Sequence, residues 1–477
     1  MSRNCKQIIW AIAVYASLRL FSYLFTPPTP LLNGAFVNSL LALVLLIVAT
    51  YWFIKKDSRG WIIVAGEIIL GGGGGYLSIG PVALRTALLM SSLAIYFTQI
   101  IQNRDFSFLK NRFSKLLLFI LAAAIFSAVI GLINQHAAGL VASDLVPYAF
   151  ILYFFPLRGL VQNDNFLNIS KNLILAAIIG NLIFTAFTFA GFGSSIFILQ
   201  DQYYHWFRDV AGGKITDLGH NFFRVTLNEH LLLIPLFVAS FFKIIKREKT
   251  KIFTFIAVAL LIILAINFSR IYLLALVAGL ILSIRKTNWR RVVPASVAVI
   301  CCFFLVFTSL NLIVSRCQSA GFELLGLRVS SIAAPGIEES SLSRMLLLPK
   351  ILEKITDSPV LGTGIGDTVT VFSPVLDITV TTPHFDWGYF EIIAEMGVVG
   401  TVAWLILILQ LMIAMIKKEP QGPLLAIFGS LLIINITSPA LFHVFGVILL
   451  MTIAALTSRA FQAQPPSSPD NHLSRAI

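Results

Sequence analysis

The 477-residue sequence predicts an all-α polytopic membrane protein, with about fourteen transmembrane helices of roughly 20 residues each and one large extracytoplasmic loop. Composition is the first observation behind this class. Hydrophobic residues make up 57% of the chain and charged residues only 12%, with a mean hydropathy of +0.88. A soluble domain of this length cannot bury that much apolar surface. The second observation is the recurrence of apolar runs near spanning length, and the third is an alternation of basic with non-basic connections between them.

The first seven runs cover residues 8–25, 34–54, 61–79, 82–101, 116–133, 145–161 and 173–192. Arg3 and Lys6 precede the first, but Arg19 interrupts it and no clean cleavage site follows, so it reads as a retained span. The third contains Gly71 to Gly75, a block that either admits a close neighbouring helix or breaks the span at a cavity, and close packing is the expectation. Glu67 and Arg85 on adjacent spans are placed to pair. The other seven runs cover 225–245, 252–267, 270–284, 292–314, 386–416, 423–437 and 440–457. Cys301 and Cys302 fall mid-span and read as buried thiols. The four cysteines form no CxxC pair or spaced framework, so neither zinc nor a disulfide scaffold is indicated.

Lysine and arginine accumulate in cytoplasmic loops. With the amino terminus inside, the connections at 55–59, 104–115, 158–171, 243–251, 285–291 and 417–418, together with the tail, are the basic ones, in strict alternation. Most of the net charge of +13 is therefore topology, and it gives no reason to expect nucleic acid as a partner. Both termini are expected in the cytoplasm. The chain then divides into spans at 1–192, an extracytoplasmic loop at 193–224, spans at 225–314, a large extracytoplasmic loop at 315–385, spans at 386–457 and a disordered cytoplasmic tail at 458–477.

The outer segments favour arginine, with Arg208, Arg224, Arg270, Arg316, Arg328 and Arg344 against Lys214, Lys350 and Lys354. A guanidinium presents a fixed fork matching phosphate oxygens, whereas lysine is a point charge. Ordinary ion pairing accounts equally well for any one of these arginines. The aromatic stretch from Asp201 to Arg208 suits an amphipathic piece at headgroup level or a surface that stacks on sugars. Glu229 and His230 read as a solvated cap on the following span. Arg270 opens a helix just after another has ended, at the bilayer edge. Leu348, Ile351, Leu352 and Ile355 share one face of an amphipathic helix over 343–357, and the GxGxG stretch from Gly362 to Gly366 lacks the strand context of a nucleotide site and reads as a flexible turn. At Thr382–Gly400, His384, Asp386, Glu391 and Glu395 crowd the point where the outer segment enters an apolar helix, and ionisable groups at that depth are costly unless used.

Three features in order resemble the O-antigen ligase and O-antigen polymerase superfamily: Phe268-Ser-Arg270 before a Leu/Ala-rich span, Arg344 through Gly366, and His384 leading into Tyr389–Gly400. The resemblance covers roughly residues 220–415 and implies a GT-C-like glycosyltransferase of the bacterial inner membrane. Its partners would be an undecaprenyl-diphosphate-linked glycan, a glycan or lipid acceptor, membrane lipids and other polysaccharide-assembly proteins. The implied reaction passes the glycan to an acceptor hydroxyl on the outer face, with no cofactor and no metal. Arg270 corresponds to the arginine that would hold the diphosphate, Arg224 and Arg344 match by location, and His384 would be the base. Where family members have asparagine after the histidine, this chain has Phe385-Asp386-Trp387, so either His384 is displaced by a short insertion and keeps the base role, with Asp386 orienting its ring, or Asp386 takes that role. The alternative class is a polysaccharide-lipid flippase or other transporter, which would be expected to carry midplane polar groups and internal repeats; neither is evident.

Overall fold

The computed structural model describes residues 3–26, 34–284, 289–333, 339–373, 378–383, 385–418 and 423–462. Helices α1 (Arg3–Phe25), α2 (Ala35–Ile54) and α3 (Arg59–Gly71) lead into a short hairpin of β1 (Ser78–Ile79) and β2 (Val82–Ala83), then α4 (Leu84–Asn103) and α5 (Arg112–Ile133). The next span is α6 (Ala138–Ala149), a 3-10 turn and α7 (Phe154–Leu160), and α8 (Asp164–Gly193) follows. A short helix α9 (Gln202–Asp209) and a hairpin of β3 (Gly213–Asp217) with β4 (Phe223–Leu227) precede α10 (Leu233–Ile245). Then come α11 (Thr250–Asn267), α12 (Arg270–Ile284), α13 (Trp289–Val314), α14 (Phe322–Ala333) and α15 (Glu339–Asp357). The last elements are β5 (Val369–Ser373), β6 (Ile378–Thr382), α16 (Gly388–Lys418), α17 (Leu424–Ile434) and α18 (Val444–Gln462).

Among the described residues, ten helical segments are long and apolar enough to cross a membrane, and α12, α17 and the apolar part of α18 are shorter apolar helices. Large side chains such as Ile47, Phe126, Leu305 and Ile313 stay exposed on the flanks of α2, α5 and α13, as a lipid-facing surface requires. Cys301, expected to be buried, is exposed on the flank of α13.

The third expected span, residues 61–79, is shorter as a helix than the sequence reading has it. Helix α3 stops at Gly71, and Gly72 takes a positive φ of 56° against the Glu229 side chain. The glycine block therefore breaks the helix instead of seating a neighbour against it. Glu229, read as a solvated cap, is 6% exposed and accepts from Arg19 Nη2 at 2.9 Å. Arg19 also donates to the Leu70 carbonyl at 2.9 Å and lies over the Tyr15 ring. The expected Glu67–Arg85 pair is present at 3.6 Å, and Arg85 also donates to the Gly72 carbonyl at 3.0 Å.

Segment 193–224 also departs from expectation. Tyr203, Trp206 and Phe207 of α9 are buried rather than spread at a headgroup surface, and burial holds the Tyr203 hydroxyl well above its ordinary pKa. The run expected as a span from residue 225 begins instead as strand β4. Antiparallel pairing sets Thr216 opposite Arg224 and Lys214 opposite Thr226. Because side chains alternate across a strand, Val225 and Ile215 turn into the core while Lys214, Thr216, Arg224 and Thr226 share the other face.

A satellite core of Leu347, Ile351, Val369, Phe385 and Ala394 joins α15, β5 and the start of α16. The buried stripe of α15 runs through Leu347 and Ile351, and Leu352, expected on that face, is exposed. Helix α16 is not continuous: Gly397 has φ 59° and ψ −164°. Such a break frees backbone groups that need partners in an apolar setting. Thr363 N–H donates to the Ala394 carbonyl at 2.8 Å and Gly364 N–H to the Glu395 carbonyl at 3.1 Å; Val398 N–H donates to the Pro359 carbonyl at 2.9 Å. Ser127 Oγ of α5 also donates to the Glu395 carbonyl, and Ile365 N–H returns to the Ser127 carbonyl. The GxGxG stretch, expected as a flexible turn, is thus a buried splint across a helix break, clamped between α16 and α5.

Candidate active site

A cavity of about 1730 Å³ opens among these elements. The polar face of the β3–β4 hairpin supplies Lys214 and Arg224, the first turn of α12 supplies Ser269 and Arg270, α14 supplies Arg328, and α15 supplies Arg344. Asp386, Trp387, Glu391 and Glu395 line it from the start of α16, Asp144 and Tyr148 from α6, and His443 from the connection between α17 and α18. The broken glycine segment contributes Gly73. The connections in this lining are ones that the lysine and arginine alternation assigns to the outside. None of the connections at 55–59, 104–115, 158–171, 243–251 or 417–418 takes part.

Arg224, Arg270, Arg344 and Asp386, predicted from separate stretches of sequence, therefore meet in one hollow. His384 lies outside the described residues; Pro383 and Asp386 on either side of it in sequence both line the cavity. Arg270 is fixed by the tightness of its turn. Helix α11 ends at Asn267, Phe268 takes a positive φ of 40° and donates its N–H to the Leu264 carbonyl, and α12 starts two residues later. The Phe268 ring is 1% exposed and stacks on Phe307 with centroids 4.3 Å apart, while the Arg328 guanidinium sits 5.9 Å from its centroid.

Arg344 is held at the start of α15 from its backbone outward. Trp387 Nε1 donates to the Arg344 carbonyl at 3.1 Å, which ties the Arg344 turn to the head of α16. Arg344 Nε is buried without a hydrogen-bond partner among the described residues. Replacing Trp387 by phenylalanine is expected to cost about 1 kcal/mol by removing the hydrogen bond that ties α15 to the head of α16, read as a lowered melting temperature in detergent, and to weaken whatever Arg344 binds. Glu391 and Glu395 lie near Asp144, so the cavity carries carboxylates as well as guanidinium groups, and Glu395 is 4% exposed.

Sequence reasoning missed several lining residues. Lys214 and Arg328 were visible only as members of a basic set, and Asp144 stood next to an apolar run without a motif. His443 was hidden because residues 440–457 read as one span. In the structure α17 ends at Ile434 and α18 begins at Val444, and the intervening chain is folded tightly, with Leu441 N–H donating to Asn435 Oδ1.

A family model described as O-Antigen ligase matches residues 255–405, from within α11 to the body of α16. The match includes Arg270, Arg344 and Asp386 and stops short of Arg224. No curated protein matches the chain. With its many apolar helices the chain is a multi-pass membrane protein, and over residues 255–405 it is similar to O-antigen ligases, which supports an O-antigen ligase-like function in general terms.

Proposed function

We propose that the cavity binds undecaprenyl diphosphate carrying a glycan, at the outer face of a bacterial inner membrane with both chain termini in the cytoplasm. Arg270, Arg224 and Arg344 hold the diphosphate, and His384 takes the proton of an acceptor hydroxyl as its oxygen attacks the anomeric carbon. The bond from that carbon to the phosphate oxygen breaks, undecaprenyl diphosphate leaves, and the glycosidic bond forms. Fixed cations stabilise the negative charge that develops on the leaving group, and a base within hydrogen-bond reach activates the nucleophile. The observation that supports this reading is the convergence of three predicted arginines and Asp386 on one cavity large enough for a diphosphate and sugar. Because guanidinium groups supply the charge, transfer is proposed to be metal-independent, and EDTA is expected to leave it unchanged.

The test is transfer by the purified full chain in nanodiscs, from an undecaprenyl-diphosphate-linked glycan to its acceptor. His384→Ala is expected to lose about 10²–10⁴-fold, and Asp386→Asn less; the reverse order makes Asp386 the base. Near-native activity in both variants overturns the assignment. In cells, accumulation of precursor on the cytoplasmic side in these variants points instead to a flippase. The surface glycan of a deletion strain separates the two transferase forms: capped single repeats mean a lost polymerase, and long undecaprenyl-linked chains mean a lost ligase.

A further inference from the structure

Behind the cavity wall lies a polar cluster that the proposed chemistry does not use. His230, expected as part of a solvated cap, is fully buried, in the 3-10 turn Asn228–Leu232 that follows β4. Its Nδ1 faces two donors, the Leu227 N–H at 3.3 Å and Asn267 Nδ2 at 2.7 Å. A nitrogen that accepts from both carries no proton, so the ring is the neutral tautomer with its hydrogen on Nε2. Nε2 meets Asn181 Oδ1 at 3.2 Å, with Thr185 Oγ1 at 3.3 Å, both on α8. Asn267 and Thr185 are 0% exposed and Asn181 is 7%.

The two donors to Nδ1 belong to the two segments that present arginines to the cavity. Leu227 closes the strand that carries Arg224, and Asn267 is the last residue of α11, immediately before the Phe268-Ser269-Arg270 turn. No backbone hydrogen bond is needed between the strand and the turn, because one imidazole nitrogen joins them while the other side of the ring anchors both to α8. We propose that His230 is a positioning residue that sets the separation of the Arg224 and Arg270 guanidinium groups, and so the fit of the cavity to a diphosphate. The inference rests on the diphosphate reading above. It needs a rigid joint at this place because a misplacement of about 1 Å in a binding clamp lowers rates by about a hundredfold, and a buried ring held on both nitrogens gives such a joint.

Three substitutions separate the two ends of the ring. His230→Asn keeps an acceptor near the Nδ1 position and so keeps the joint between strand and turn. His230→Gln reaches toward Asn181 and places a donor there but gives up the acceptor at Nδ1, and His230→Leu gives up both. The probe is undecaprenyl diphosphate, titrated against the full chain in nanodiscs, with the melting temperature of each variant recorded. His230→Gln and His230→Leu are expected to bind it about tenfold or more weakly and to raise KM for the lipid-linked donor more than they lower kcat, while His230→Asn restores most of the affinity. Where His230→Leu does not yield folded protein, Asn267→Ala removes the same joint from the other side and carries the same expected loss. Native affinity in all three variants overturns the proposal. So does an equal loss in all three that follows melting temperature, since that is the signature of a packing role alone. Arg224→Ala and Arg270→Ala are titrated alongside: if both bind the probe as the native chain does, the diphosphate reading fails, whereas loss in these with native affinity in the His230 variants fails the His230 joint alone.

Discussion

Replacing Arg270 by lysine is expected to lower kcat/KM for glycan transfer by about 10²–10³-fold, the range seen when one preorganised donor to a developing negative charge is removed. Lysine keeps the positive charge, so a loss of this size tests geometry and not simple attraction. A guanidinium offers two parallel N–H donors in a fixed plane and an ammonium does not. The backbone has little freedom to compensate: Arg270 opens α12 three residues after the end of α11, and Phe268 before it is buried and stacked on Phe307. Arg316 provides the control, since it lies in an exposed turn and is absent from the cavity wall. Arg316→Lys is expected to transfer at the native rate. Equal activities of the two lysine variants mean that Arg270 contributes charge alone and that the fork reaching the diphosphate belongs to another residue.

The class of this protein was legible because it depends on properties summed over long stretches. Hydropathy over twenty residues locates a span, and a lysine or arginine count locates a loop, whatever the neighbours are. The candidate site was legible in part: charge in an apolar chain is costly and therefore informative, which drew attention to Arg270 and Asp386, while Arg224 and Arg344 entered from the family resemblance by location alone. What stayed hidden depends on contacts between distant segments. The burial of Glu229 follows from Arg19, some two hundred residues away, and nothing local to Glu229 announces it. His230 looked like a surface cap because its partners, Asn181, Thr185 and Asn267, come from two other helices. Glycine was ambiguous for the same reason: Gly71 to Gly75 permits close packing or a broken helix, and the choice is made by Asn228 and Glu229 filling the space beside Gly72 and Gly73. A hairpin strand such as β4 was absorbed into a predicted span because its apolar residues continue without interruption into α10.

Replacing Gly364 by alanine is expected to be the most damaging single-methyl change in the outer segment, costing about 4 kcal/mol, a size reached only through a specific structural fault. Gly364 has φ 95°, a region that a side chain enters only with strain, and an added Cβ would strike the backbone of Gly131 on α5. Backbone cannot swing aside as a long side chain can. Relief requires the splint to lift off α5, which would sacrifice the Gly364 N–H to Glu395 carbonyl bond, the neighbouring Thr363 to Ala394 bond and the Ser127 contacts. Each buried backbone group left without a partner costs about 1–3 kcal/mol, and these are the groups that replace the missing turn at Gly397. The first half of α16 carries Glu391, Glu395 and, just ahead of it, Asp386, so its loosening deforms the cavity wall. Loss of both melting temperature and transfer is therefore expected, together with faster hydrogen exchange at Thr363 and Val398. Gly139→Ala, at a helical position whose added methyl meets open space, is the matched control and is expected to be neutral or slightly stabilising. A Gly364→Ala protein as stable as this control would mean that the splint yields easily, and that the break in α16 is held by the satellite core of Leu347, Ile351 and Phe385 instead.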